Sequence, residues 1–327
     1  MTQDWNILYH LGGNGPWIEK LENTVEGGIA APEGCKVEQV HMMARHAERY
    51  PTWKVAISRY LFISHYSEAD LHALGIANLV KRMRDSGVQF KGDMAFFNNW
   101  ELFWSEDTQI EQLTSTGPFS GTLGAFTTGV RLRTRYSELL SRARAQSHKI
   151  RYWASDGQRV IDTAKFFGAG FFGLDAENST ELEVISEDAS MGANTLTPGD
   201  TCLAYVNDKE SGHSNGYAMF YKFRSAYLDA ISERLLLENP NIKFTEDEIY
   251  AMQEICGFET TVRGKSPWCD VFTQDEFISF EYARDILHYY RAGPGTPYGP
   301  LMGWLWLNAT TNLMLEGPSA GPLFFSL

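Results

Sequence analysis

Two guanidiniums and an imidazole fall within five residues of this 327-residue chain, at Arg45-His46-Ala47-Glu48-Arg49, and Tyr50-Pro51 closes the stretch. The arginine fork suits phosphate because its planar N–H groups make paired, charge-assisted hydrogen bonds to oxygen. A histidine nitrogen can attack phosphorus and later leave it. Together these residue types describe phosphoryl transfer through a covalent histidine. The competing reading is a basic surface turn without chemistry.

A third arginine strengthens the first reading. Lys149 to Ala154 reads as a strand, Ser155-Asp156-Gly157 as a turn, and Arg159 onward as a helix carrying Val160, Ala164 and Phe167. That spacing puts Arg159 in the first turn of the helix, where the helix dipole disfavours a cation unless an anion is near. A phosphate would supply the anion and take up the backbone N–H groups of the same turn.

The elements around the motif fit this chemistry. Val37 to Ala44 is short, apolar-rich and β-prone, with Pro32, Glu33 and Gly34 ahead of it as turn formers. After Pro51 the pattern turns helical, from Trp53 to Ser64 and again from Ser67 to Asp85. Arg45 and His46 therefore stand at the carboxyl end of a strand, on a loop leading to a helix, where open α/β sheets bind ligands. Leu182 to Ile185 and Gly321 to Leu327 read as further strands. His41 reads as a strand side chain facing the core.

Further along, Phe96 to Trp104 is an aromatic core cluster and Thr114 to Gly124 is turn chemistry. Gly129 to Gln146 is helical, and its arginines (Arg131, Arg133, Arg135, Arg142 and Arg144) read as a solvated face in preference to an anion patch. Met191 to Gly216 reads as a long loop. Helices are expected over Tyr217 to Glu238, Thr245 to Gly257, Gln274 to Tyr290 and Pro300 to Leu315, with Thr245 and Glu248 forming a capping box.

Composition narrows the function. With 41 acidic against 28 basic residues the net charge is −13, which argues against nucleic acid and anionic membrane surfaces as partners. No window reaches the roughly 18 apolar residues of a membrane span. The histidines lack zinc-ligand spacing, and there is neither an EF-hand loop nor a Walker motif.

R-H-A-E-R-Y-P-T resembles the signature of the histidine acid phosphatases, the group that includes fungal phytases and secreted fungal acid phosphatases. His10 to Trp17, Pro32 to Cys35, Ala154 to Ile161, Phe272 to Glu276 and Tyr289 to Gly295 are similar to further landmarks, in the right order. The resemblance implies a phosphoglycerate-mutase-like α/β fold with a mostly helical inserted subdomain. On it, 1–29 is an N-terminal segment, 30–66, 149–190 and 300–327 build the α/β catalytic domain, and 67–148 and 191–299 are mainly helical insertions.

It also implies roles. His46 is the nucleophile, Arg45, Arg49 and Arg159 bind phosphate, and Asp275 and Glu276 border the substrate pocket. The three cations would keep His46 neutral at acidic pH. The activity implied is acid hydrolysis of phosphate monoesters through a phosphohistidine, needing no metal or other cofactor. Phytate, with its many charges, calls for lysines near the motif, and Lys20 and Lys54 are the candidates there. Acidic Asp275 and Glu276 favour less charged esters or a low-pH optimum, so the reading leans to a broad acid phosphatase with some phytate activity. A homo-oligomer is compatible with all of this.

Several features depart from the family pattern. Members protonate the leaving alcohol with the aspartate of a His-Asp pair that follows a late apolar strand. No His-Asp dipeptide occurs here, so the C-terminal part that would carry it is expected to be missing. The alternatives are a non-catalytic phosphate-binding relative and a phosphoglycerate-mutase-like phosphotransferase.

Of four cysteines the resemblance pairs Cys256 with Cys269 and places the partners of Cys35 and Cys202 beyond Leu327; a Cys35–Cys202 bridge stays open. Arg291 stands where a cysteine is usual. Ala47 replaces the usual glycine, which matters only if that position needs positive φ. Extracellular or cell-wall location follows from the resemblance, the cysteines and the sequons at Asn178 and Asn308, with no signal peptide in the sequence.

Overall fold

The apolar run Leu323-Phe324-Phe325 suits a strand buried on both faces, and the computed structural model places it in the interior of a parallel sheet. The structure describes residues 5–18, 30–52, 72–105, 109–146 and 148–327. The helix expected over Trp53 to Ser64, and the candidates Lys20 and Lys54, lie outside the described residues. The first half of the chain gives β1 (Val40–Met43), α1 (His72–Asp85), α2 (Gly121–Arg135), α3 (Ser137–Arg144), β2 (Ile150–Ser155) and α4 (Gln158–Phe172). Then come α5 (Ala176–Ser179), β3 (Thr180–Ile185), α6 (Pro198–Thr201) and α7 (Leu203–Asn207). The last third gives α8 (His213–Glu238), α9 (Glu246–Arg263), α10 (Gln274–Arg291), α11 (Gly299–Glu316) and β4 (Leu323–Ser326). No helix among the described residues is long and apolar enough to cross a membrane.

The chain divides into two units. One takes Met1–Pro16, Glu48–Ser120 and Ala204–Gly299; the other takes Trp17–Ala47, Gly121–Leu203 and Pro300–Leu327. The second is the α/β unit. Its four strands run parallel in the order β1-β4-β2-β3, with His41 opposite Phe324 and Trp153 opposite Ser326. Parallel pairing requires crossovers, and α4 is the crossover from β2 to β3. One face of the sheet is covered by aromatic rings of α4: Phe167 and Phe171 meet the Phe325 ring edge-on, with centroids 5.1 and 4.7 Å away. On the other face His41, Phe324 and Trp153 stack in a row. His41 is thus the sheet residue its position suggested, and burial pushes its imidazole pKa down.

The sequence boundary assigned 67–148 wholly to the insertion, whereas α2 and α3 lie in the α/β unit. Close backbone approach explains the packing of α2 on α4. A Cβ on Gly129 would fall 2.3 Å from the Phe167 carbonyl oxygen, and one on Gly170 would fall 2.1 Å from that of Phe126. The helical run expected over Gly129 to Gln146 is also broken, at Tyr136, so its arginines diverge. Arg142 pairs with Glu38, Arg144 donates to the Phe172 carbonyl, and Arg135 lies over the Tyr136 ring.

In the other unit the core is built around α9, buried on nearly every side. Such a helix must satisfy its polar residues internally. Glu254 accepts from Asn14, and Glu259 accepts from Trp100 and Ser266. The Thr245–Glu248 capping box forms as expected. The helix does not stop at Gly257; it continues to Arg263 and ends on Gly264, whose φ of 83° is the left-handed cap that glycine provides. Cys256 and Cys269 form the expected disulfide, and Cys35 and Cys202 are both free. The loop expected over Met191 to Gly216 holds α6, α7 and the first turn of α8 instead.

Candidate active site

Three chain segments meet at the carboxyl edge of the sheet. β4 lies between β1 and β2, and its end is bonded to both neighbours. Ala44 N–H donates to the Ser326 carbonyl, Ser155 N–H donates to that of Leu327, and Leu327 N–H donates to that of Trp153. The loop after β1, carrying Arg45 and His46, and the turn after β2, leading to Arg159, therefore emerge one strand apart at the same edge. Arg45 is exposed there, while His46 and Arg159 are half-buried.

The loop carries His46 in a defined orientation. Its Nδ1 lies 2.8 Å from the Ala47 carbonyl oxygen. A carbonyl only accepts, so Nδ1 carries a proton, and in the neutral ring the lone pair is on Nε2. Ala47 N–H donates to Thr163 Oγ1 at 3.0 Å, and that hydroxyl donates to the Arg159 carbonyl at 2.7 Å. His46 is thus tied, through Ala47 and one helical turn, to the backbone of Arg159. Ala47 does not adopt positive φ, so alanine in place of glycine imposes no backbone strain.

Arg159 sits in the first turn of α4, behind Gly157, an N-cap that offers no side-chain cap. Its Nε is buried, with no hydrogen-bond partner among the described residues. A buried N–H without an acceptor costs about 1–3 kcal/mol, an imbalance that an anionic oxygen at this helix start would remove.

The remaining described candidates for phosphate and pocket belong to the other unit. Arg49, three residues past His46 in the chain, belongs to the other unit. There it is buried, donates to the Tyr50 carbonyl at 2.9 Å and lies over the Phe258 ring. Asp275 and Glu276 also lie in that unit, in the first turn of α10. Asp275 is exposed; Glu276 closes a capping box with Thr273 and accepts from Arg234 at 2.7 and 3.1 Å. That second capping box has the same Thr-x-x-Glu spacing as the first and was legible in the sequence. Thr163 was missed, because a threonine one turn into a helix carries no signal without the tertiary contact. Asn178 and Asn308 are both exposed.

The sequence profile of the histidine phosphatase superfamily (branch 2) matches residues 36–322. The chain belongs to that family. It is 32% identical over 331 residues to a phytase of Candida albicans, covering 99% of this chain and 65% of that relative. It is 33% identical over 331 residues to an acid phosphatase of Komagataella pastoris, covering 98% of this chain and 64% of the relative. Its fold superposes on the crystal structure of the phytase from D. castellii with a TM-score of 0.84 at 29% identity, covering 98% of this chain and 65% of that one. The chain thus spans somewhat less than two thirds of the length of these histidine phosphatases. The phosphoglycerate-mutase-like α/β expectation agrees with that superposition.

Proposed function

We propose that this protein hydrolyses phosphate monoesters at acidic pH through a phosphohistidine at His46. The observation that carries the reading is the pair of hydrogen bonds on Ala47. They orient the neutral imidazole with its lone pair on Nε2, beside a helix start whose arginine has a buried N–H in need of an acceptor. In the first step Nε2 bonds to phosphorus while the phosphorus–oxygen bond to the alcohol breaks, and the leaving oxygen takes up a proton. In the second, water attacks phosphorus, inorganic phosphate departs and His46 is regenerated. Arg45 and Arg159 stabilise charge on the nonbridging oxygens as the ester bond breaks. Arg49 is the third arginine that the family resemblance assigns to phosphate.

Relatives named as acid phosphatases and as a phytase support phosphate monoesters as the substrate class, phytate among them. The Cys256–Cys269 disulfide and the exposed sequons support an oxidising, extracellular setting. A second reading, a phosphate binder with slow turnover, is favoured by the lack of any His-Asp dipeptide to supply the proton. Rapid-quench trapping with radiolabelled p-nitrophenyl phosphate tests the proposal, since that leaving group departs without an acid. Label retained on the wild-type chain and lost in His46→Ala supports it. A chain that never takes up label refutes it.

A further inference from the structure

The geometry points to Thr163 as a positioning residue for the nucleophile, acting through Ala47 rather than on substrate; the inference rests on the reading of His46 given above. A threonine inside a helix commonly donates its hydroxyl to the carbonyl four residues back. Thr163 does so, to Arg159 at 2.7 Å. With its single proton committed there, the hydroxyl can present only lone pairs to its remaining neighbour. That neighbour is Ala47 N–H at 3.0 Å, a backbone group 116 residues away in sequence and adjacent to the nucleophile.

Both polar groups of Ala47 are therefore engaged. Its N–H is fixed by Thr163, and its carbonyl receives the His46 Nδ1 proton at 2.8 Å. Fixing the N–H fixes the peptide plane that joins His46 to Ala47 and so places the Ala47 Cα, from which the carbonyl that accepts from the imidazole projects. Thr163 is 4% exposed, so water does not readily replace its hydroxyl. The same oxygen is bonded to the backbone of Arg159, so one side chain sets the nucleophile loop against the helix start.

The isosteric Thr163→Val keeps the packing and removes the acceptor; Thr163→Ser keeps the acceptor and removes only a methyl. A small misplacement of a reacting group costs up to about 100-fold in rate. Thr163→Val should therefore slow single-turnover phosphorylation of His46 by p-nitrophenyl phosphate about 10- to 100-fold. Inorganic phosphate affinity should change little, and Thr163→Ser should restore the rate to within a few fold of wild type.

The second readout does not depend on turnover. In protein labelled with ¹⁵N-histidine, the His46 resonances should report protonated Nδ1 in wild type and Thr163→Ser, and a mixture of tautomers in Thr163→Val. Thr163→Val with wild-type phosphorylation and an unchanged tautomer overturns the inference. So does a Thr163→Ser variant as impaired as Thr163→Val, because the hydroxyl would then be irrelevant. If Thr163→Val fails to fold, Thr163→Ala takes its place in both measurements. A wild-type chain that takes up no phosphoryl group refutes the phosphatase reading alone, and the tautomer comparison then decides the role of Thr163.

Discussion

His46 Nδ1 lies 2.8 Å from the carbonyl oxygen of Ala47, and on the phosphohistidine proposal this contact selects the imidazole nitrogen that would react. The proton it requires on Nδ1 leaves the nucleophilic lone pair on Nε2. The trapped adduct is therefore expected at Nε2, read by NMR of the phosphopeptide isolated under alkaline conditions. Phosphate on Nδ1 would contradict the orientation seen here. His46→Gln keeps a polar side chain but no phosphorylatable nitrogen, and should yield no adduct.

Arg159 offers a second test. Its buried Nε has no acceptor among the described residues, and it stands at the amino end of α4. Hydrogen bonds between charged partners contribute about 1.5–3 kcal/mol, so Arg159→Ala should weaken inhibition by inorganic phosphate roughly 10- to 100-fold. Arg159→Lys should recover only part of the loss, because an ammonium cannot form the planar fork. Competition of phosphate against an aryl phosphate substrate measures both. Unchanged inhibition in Arg159→Ala would remove this arginine from the site.

The residues with chemistry were more legible than the contacts that hold them. The strand before Arg45, the strand before Asp156 and the helix beginning near Arg159 lie where local pattern placed them, because each is a short apolar run bounded by turn residues. The Cys256–Cys269 bridge came from family resemblance rather than pattern. Close helix packing is less legible. The packing of α2 on α4 depends on Gly129 and Gly170 facing each other's backbones, and nothing local marks such a pair. Gly257 read as a helix stop, although it lets α9 pass close to the Asn14 backbone while Gly264 supplies the true cap. The carboxylate of Glu276 closes the helix cap and accepts from Arg234, contacts that its expected place at the pocket does not reveal.

The absence of a His-Asp pair makes leaving-group dependence informative. A general acid contributes about 100- to 10,000-fold to the departure of a poor leaving group and little to that of a good one. For this chain, kcat on an alkyl phosphate should fall below that on p-nitrophenyl phosphate by a factor in that range. A plot of log kcat against leaving-group pKa should slope steeply. A flat plot would show that another group in the chain delivers the proton.

Gly129 and Gly170 provide a test of the fold that leaves the reacting groups untouched. Either glycine replaced by alanine sets a methyl about 2 Å from a backbone oxygen of the opposite helix, so α2 and α4 must separate. Overpacking of this kind costs about 1–3 kcal/mol, and the strain has no flexible side chain to absorb it. Gly129→Ala and Gly170→Ala should each lower the denaturant midpoint. The double variant should cost less than the sum, because one separation relieves both clashes. Full additivity would mean that the two helices do not yield as a pair.

His213 links acidic pH to stability rather than to catalysis. It begins α8, with its ring against those of Tyr205 and Tyr217. Burial, then the charges of Arg291 and Lys209, push its pKa from 6.5 down to about 4. The unfolded chain therefore binds a proton on this histidine between pH 6.5 and 4 that the folded chain does not. Stability is unaffected by it above the unfolded value, falls as pH drops through that window and levels off below about 4. Discounted for solvent screening of a ring that is partly exposed, the span corresponds to on the order of 1–2 kcal/mol. His213→Phe keeps an aromatic ring and removes the titration, so its loss of stability between pH 7 and pH 4 should be smaller than that of wild type by about this amount. His41, lowered in the same direction, keeps the variant from becoming wholly insensitive. Urea unfolding of both proteins at the two pH values measures the difference, and identical losses would show that His213 is protonated in the folded chain.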